Sequence, residues 1–229
     1  LHRSIRRQRQ MCIRDRVFTP RRALMADLER WGCPRVEYLP FAYNPEVHFP
    51  EPPCTPEEQA HYDCDVVFAG GADRDRIPYI AALTRAGFKV HVYGGYWNRY
   101  SETRAIARGH ADSRTLRKAI GGARAVLCLV RRANRDGHSM RSFEVAAMRG
   151  CMLVEDTEEH REIFGEDGEA VVYFRTIPEM VERLRGLLED EEERERLRQA
   201  AYERVVRGRN TYADRIKKMM EIIECIEAR

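Results

Sequence analysis

No run of apolar residues in this 229-residue chain approaches the roughly 18–20 needed to cross a bilayer, so a membrane span is not expected. The opening residues are polar and arginine-rich, without the apolar segment of a secretory leader, and a cytoplasmic protein is the expectation. Cysteine is sparse: seven residues (12, 33, 54, 64, 128, 151 and 225), with no C-x-x-C pair and no Cys/His ligand spacing. An odd, scattered set predicts reduced thiols and no structural metal site. Two glycine fingerprints are missing as well. Neither G-x-G-x-x-G nor G-x-x-x-x-G-K-[ST] occurs, which removes support from dehydrogenase and ATPase readings. Internal repeats and low-complexity segments are also lacking.

The net charge of +3 is local in origin. Residues 1–16 carry six arginines and one aspartate; the rest of the chain has 34 basic and 36 acidic residues, a balance of −2. Nucleic-acid binding, which needs a basic patch for phosphate, is therefore disfavoured. The stretch from Met11 to Arg16 resembles a translated transposon-end adapter from sequencing-library preparation. The competing reading is a genuine basic arm. Residues 1–16 are read as an adapter-derived artefact and carry no fold expectation.

From Val17 the chain turns regular. Val17-Phe18-Thr19 reads as a strand end, and Thr19-Pro20 as a cap and first turn of a helix with Ala23, Leu24, Leu28 and Trp31 on its apolar face. A second strand follows at 36–39. Residues 51–62, in a proline-rich stretch, are expected to be an interdomain linker.

Beyond it, short apolar runs at 65–69, 89–93, 125–130, 152–154 and 170–174 alternate with helical patterns at 76–86, 113–120, 140–149 and 157–164. Strands apolar throughout and separated by helices predict an α/β fold: a Rossmann-like parallel sheet covered on both faces. Only helices follow, at 177–188, at 191–206 and from a capping-box-like Thr211-x-x-Asp214 onward. The last carries Tyr212, Ile216, Met219, Met220, Ile223 and Ile226 along one side, a stripe expected to pack into a core.

Ligands of such sheets bind beyond the carboxyl ends of the strands, and three of those ends carry suitable chemistry. Gly70 and Gly71 let backbone approach a ligand, with Arg74 and Arg76 positioned to neutralise a diphosphate. Tyr93-Gly94-Gly95-Tyr96-Trp97 could line a base or sugar pocket, or form a turn with its own small cluster. The third end is the most informative. There, Asp136, Gly137 and His138 form a loop, Ser139 caps a helix, and Met140, Arg141 and Glu144 fall in its first turns. The helix's free N–H groups attract an anion, and a carboxylate one turn in can accept ribose hydroxyl protons.

Asp136-x7-Glu144, followed by small residues and glycine, resembles the E-x7-E signature of group-1 glycosyltransferases. Arg141-x-Phe143-Glu144-x-x-Ala147-x-x-Gly150 is similar to the R-x-FE-x-x-A-x-G segment of CgeB-type (spore-maturation protein) glycosyltransferases. Asp65-Val66-Val67-Phe68-Ala69-Gly70 with Arg76, Val92-Tyr93-Gly94…Trp97, Phe164-Gly165-x-x-Gly168-Glu169-x3-Tyr173 and Thr211-Tyr212-x-x-Arg215 resemble further motifs of that family in the same order. Asp136 is shorter than the usual glutamate, and Asn210 stands where the family often has histidine.

The resemblance, over roughly 17–226, implies the C-terminal lobe of a two-lobed (GT-B) glycosyltransferase at 63–210. It also implies the end of a truncated N-terminal lobe at 17–50 and a C-terminal helix at 211–229 packing back toward that lobe. It implies a nucleotide-diphosphate-sugar donor, an unknown acceptor, no cofactor and no metal. Glu144 would hold the ribose, and Asp136 to His138 would face the donor sugar with Asp136 and His138 as catalytic candidates. Arg76 would meet the diphosphate, helped by Arg74 or Arg141. Gly70, Gly71, Tyr93, Gly94, Gly137, Ser139 and Met140 complete the expected donor site. The alternative is a non-catalytic Rossmann-like module that binds a nucleotide for regulation.

Overall fold

Val17 to Thr19 and Val36 to Tyr38 are short, half-buried extended runs, and they pair with each other rather than with the main sheet. A computed structural model describes residues 16–227, with the side chains of 225–227 left aside; the expectations for residues 1–15, Cys225 and Ile226 lie outside that description. Strand β1 (Arg16–Thr19) and β2 (Arg35–Tyr38) form a parallel two-stranded sheet. The connection holds a 3-10 turn at Arg22–Leu24 and then helix α1 (Met25–Arg30). The helix thus starts later than Thr19-Pro20 predicts, because the Thr19 hydroxyl accepts only the nearby Arg21 N–H, at 3.2 Å. Its apolar face stays open: α1 buries no residue, and Trp31 is 75% exposed.

The stretch 51–62, expected as a linker, is packed structure. Thr55 caps helix α2 (Pro56–Tyr62) by accepting the Glu58 N–H at 3.2 Å, with proline in the first turn where no donor is needed. Buried Lys118 reaches the Pro52 carbonyl at 3.1 Å and Glu58 at 2.9 Å, fastening this stretch to the domain.

Five parallel strands make the main sheet: β3 (Cys64–Ala69), β4 (Val90–Tyr93), β5 (Ala123–Cys128), β6 (Met152–Glu155) and β7 (Val172–Phe174). Their spatial order is β4-β3-β5-β6-β7, so the chain reverses its direction of growth between β3 and β5. In open α/β sheets, the crevice beyond such a reversal is where ligands bind.

Helices α3 (Ile77–Arg85), α4 (Ser113–Gly122), α5 (Met140–Ala147), α6 (Glu158–Phe164), α7 (Ile177–Glu189) and α8 (Glu191–Arg207) cover the sheet. One face packs Leu116, Ile120, Phe143, Val145, Phe164, Ala201 and Val205 against Val67, Val126 and Val154. The other packs Ile80, Leu83, Met180, Leu184 and Leu197 against Val66, Leu127 and Leu153. Two-sided burial is why these strands read as continuous apolar runs. Helix α5 lies close to the sheet because a Cβ at Gly150 would meet Val126 and Ile120 at 2.9 and 3.0 Å.

Helix α9 (Tyr212–Glu227) closes the chain, and its apolar stripe is not core. Tyr212, Ile216, Met220 and Ile223 are 41, 60, 49 and 40% exposed, so the packing expected for them is absent among the described residues. No helix among the described residues is long and apolar enough to cross a membrane.

Candidate functional site

The ends of β3 and β4 are tied by backbone. Gly70 donates to the Tyr93 carbonyl at 2.8 Å, and Ala72 to the Gly95 carbonyl at 2.9 Å. Buried Trp97 caps the junction, its Nε1 donating to the Gly70 carbonyl at 2.7 Å. Gly94 adopts φ +134°, and a Cβ there would collide with the Gly70 carbonyl oxygen. Only glycine fits that crossing. Above it lies a cleft of about 430 Å³, lined by Gly70, Gly71, Gly94, Gly95, Tyr96 and Arg141 among others. Tyr96 stands at its rim, 56% exposed and held at φ 73°, a conformation uncommon for a residue with a side chain. Tyr93 also borders the cleft but is 3% exposed. Its hydroxyl is buried without a partner, and burial pushes it up to about 12.

Helix α5 opens at Ser139, whose N–H donates to Ser142 Oγ at 3.4 Å. Ser142 is 2.9 Å from His160 Nε2, and His160 Nδ1 donates to the Glu155 carbonyl at 2.8 Å. This buried relay fixes the start of the helix. Two residues on, Arg141 lines the cleft, and its Nη1 lies 2.6 Å from Glu144 Oε2. Glu144 is 6% exposed. Its Oε2 is fully enclosed and accepts no well-directed hydrogen bond, so Arg141 neutralises it by proximity of charge. On the other oxygen, His48 Nε2 approaches Oε1 at 3.6 Å. Met140 is 45% exposed and faces outward.

The loop before the helix is engaged elsewhere. Asp136 Oδ1 accepts from Arg21 Nε at 2.5 Å and Oδ2 from Asn134 Nδ2 at 3.2 Å. Gly137 accepts the Thr157 hydroxyl at 2.5 Å and leaves room for the Glu159 carboxylate. His138 is fully buried. Its Nδ1 sits 2.5 Å from Glu159 Oε2, and its Nε2 accepts the Phe41 N–H at 3.1 Å. Protonating Nε2 would set N–H against N–H, and burial holds the ring down at about 4; burial also raises the Glu159 carboxyl. The expectation of His138 as a base facing the donor is therefore corrected. Both of its nitrogens are engaged inside the protein, and it joins residues 38–41 to the sheet.

The cationic set is likewise redistributed. Arg76 folds back, donating to the Gly71 carbonyl at 3.1 Å, with its Nε 3.6 Å from Asp73 Oδ2 and burial lowering its pKa. Arg74 is exposed and lies outside the cleft's lining, contrary to the expectation of a diphosphate contact. A larger depression, about 560 Å³, lies near Asp156 and Glu166, but Arg161 and Arg175 there both pair with Asp156. Among the described residues, no group of three or more His, Cys, Asp or Glu is gathered as a metal site.

Of the residues expected from the sequence, Gly70, Gly71, Tyr93, Gly94 and Arg141 line one cleft, with Glu144 behind Arg141; Arg21, His48 and Glu159 were not expected, and Arg215 was present only as part of a motif. Arg215 donates to the Pro40 carbonyl at 3.0 Å and the Phe41 carbonyl at 3.1 Å, so the Thr211…Arg215 motif clamps α9 to residues 40–41. That motif was the one available signal; the others lie in segments without periodicity.

The five-stranded parallel sheet and its covering helices have the fold of the C-terminal lobe of GT-B glycosyltransferases, with a strand-helix-strand piece beside it. The family model described as glycosyl transferase-like matches residues 76–221, and the chain belongs to that family. Among curated protein sequences none matches at a significant level. Solved structures show the same fold at low identity. Sucrose-phosphate synthase from Thermosynechococcus elongatus is 14% identical, with a TM-score of 0.66 over 94% of this chain and 59% of its own. Anabaena Alr3699/HepE, solved in complex with UDP-glucose, is 10% identical, with a TM-score of 0.68 over 91% of this chain and 63% of its own. The C-terminal domain of a group 1 glycosyl transferase (LpcC) from Francisella tularensis is 14% identical, with a TM-score of 0.52 over 72% of this chain and 97% of its own. The chain thus spans about six tenths of the first two relatives and nearly all of the isolated domain.

Proposed function

We propose that this chain binds a nucleoside-diphosphate sugar in the cleft at the ends of β3 and β4, and that the enzyme transfers the sugar to an acceptor hydroxyl. The observation that carries the reading is the Arg141–Glu144 pair: Arg141 lines the cleft, and the buried Glu144 carboxylate lies behind it, 2.6 Å from its guanidinium. A buried carboxylate with an unsatisfied oxygen matches the need to accept ribose hydroxyls. Arg141 and Arg76 supply positive charge where a leaving diphosphate gains negative charge as the glycosidic bond breaks. In this proposal the enzyme is a CgeB-type, hexosyltransferase-like protein of the cytoplasm that uses arginine rather than a metal against the diphosphate. Calorimetry with UDP-, GDP- and dTDP-sugars tests the donor. At least one is expected to bind, and Glu144→Ala to weaken it by about tenfold or more; absence of binding by all three ends the reading.

One observation favours a second reading, a module that binds nucleotide without turning it over. Asp136 is paired with Arg21, and His138 is enclosed between Phe41 and Glu159. Donor binding without hydrolysis or transfer, by a chain that includes both lobes, would select that reading.

A further inference from the structure

Tyr96 carries a bulky side chain at a position whose backbone suits glycine. Its φ of 73° lies in the left-handed region, which aromatic residues rarely adopt. Its neighbours impose that conformation. On one side, the Gly95 carbonyl accepts the Ala72 N–H at 2.9 Å. On the other, Trp97 is buried edge-on against Phe68, its Nε1 donating to the Gly70 carbonyl at 2.7 Å and its carbonyl accepting the Thr103 hydroxyl at 2.8 Å. Glycine would sit between these anchors without strain, so the turn itself gives no reason for tyrosine. The ring is also held. Arg99, at the end of the short 3-10 turn Trp97–Arg99, places its guanidinium over one face, 4.4 Å from the centroid. Its N–H donates to the Tyr96 carbonyl at 3.0 Å. Tyr96 is 56% exposed and lines the same cleft as Arg141. With Arg99 on one face of the ring, the face left to a ligand is the other.

We infer that Tyr96 is the platform on which the donor's nucleobase stacks, and so the residue that makes this cleft select a nucleoside diphosphate over a diphosphate without a base. This rests on the reading of the cleft as the donor site. A ring fixed by its backbone and by a stacked guanidinium loses little freedom when a base settles on it, so the stacking gain goes into affinity. Every base has a π-face, and a single platform therefore secures a nucleotide without choosing among bases. Removing the ring should weaken all nucleotides in proportion and leave their order of preference alone. The strained backbone is then the cost of presenting a flat apolar surface at the rim, where a glycine would present none.

The test is calorimetry of the full chain at neutral pH with UDP, GDP, dTDP and inorganic pyrophosphate. Wild type is expected to bind its preferred nucleoside diphosphate at least about tenfold more tightly than pyrophosphate. Tyr96→Ala and Tyr96→Gly are expected to weaken that nucleotide by about tenfold and to leave pyrophosphate unchanged; Tyr96→Phe, which keeps the ring, stays near wild type. Tyr96→Gly should melt higher than Tyr96→Ala, because alanine keeps the left-handed strain and glycine relieves it. Binding thus follows the ring while stability follows the backbone, a separation that a purely structural role would not produce. Full nucleotide binding by Tyr96→Ala, or its recovery in Tyr96→Gly, overturns the inference and leaves the donor site standing. So does a loss in Tyr96→Phe as large as in Tyr96→Ala, or a wild type that binds pyrophosphate as tightly as every nucleotide. A wild type that binds none of the three nucleoside diphosphates removes the donor reading and the inference with it.

Discussion

Arg21 and Asp136, separated by 115 positions in the chain, meet at 2.5 Å, with the carboxylate only 6% exposed and the guanidinium 26% exposed. The contact joins the β1–β2 piece to the loop that opens α5. It differs in kind from the neighbouring Arg22–Glu162 pair, whose side chains are 42 and 43% exposed. A half-buried pair loses less to water and ions than an exposed one. A double-mutant cycle of Arg21→Ala and Asp136→Asn, read by urea unfolding, is expected to give a coupling of about 1–3 kcal/mol. The same cycle at Arg22 and Glu162 is expected to give below about 1 kcal/mol and to fade in high salt. Equal couplings would show that burial does not separate the two pairs.

Protonation links His160 to stability. Burial holds it neutral, against the upward pull of its bond to the Glu155 carbonyl, with its pKa lowered from 6.5 to about 4; His91 beside Arg108 is lowered to about 4 as well. As pH falls from about 6.5 to about 4, the unfolded chain takes up protons that the folded chain refuses. The stabilisation is therefore present above the unfolded pKa and lost on acidification through this window. Each such histidine steepens the fall by up to about 1.4 kcal/mol per pH unit. Urea unfolding across that window should show a shallower slope in His160→Gln than in wild type. An unchanged slope would mean that His160 is protonated in the folded state.

Helix α9 gives a case where a pattern is right about the helix and silent about its surroundings. Its stripe is apolar, yet Ile216 is 60% exposed. Ile216→Ser is expected to change unfolding free energy by no more than about 0.5 kcal/mol, whereas Val205→Ser on the preceding helix, fully buried, should cost several times that. A large loss at Ile216 would place it in a core after all.

These residues show where sequence legibility ended. The five strands were readable because each is buried on both faces and therefore apolar throughout, as Val66 and Val67 show. Arg141 and Glu144 were readable because helix spacing puts them three residues apart at a strand end. Arg21, His48 and Glu159 were not, since their roles come from contacts spanning 21–115 positions between segments with no shared period. Helix α2 was hidden because Pro56, which reads as a breaker among prolines 50, 52 and 53, acts here as a first-turn residue behind the Thr55 cap. His138 was assigned to the cleft from its position in the loop; which way a loop side chain points depends on partners such as Phe41 and Glu159.

Two adjacent glycines separate backbone necessity from mere presence in the cleft. At Gly94 a methyl group would strike the Gly70 carbonyl and the residue would be held at φ +134°; at Gly95 a methyl group would meet nothing within 4 Å. Gly94→Ala is expected to lose more than about 1 kcal/mol of stability, and to weaken nucleotide binding because β3 and β4 can no longer meet at their ends. Gly95→Ala is expected to fold within about 0.5 kcal/mol of wild type. Thermal melts and nucleotide titrations on the two variants check this together. If both tolerate the methyl group, the crossing at Gly70 is not what shapes the cleft. If both fail alike, the open space at Gly95 is filled in solution.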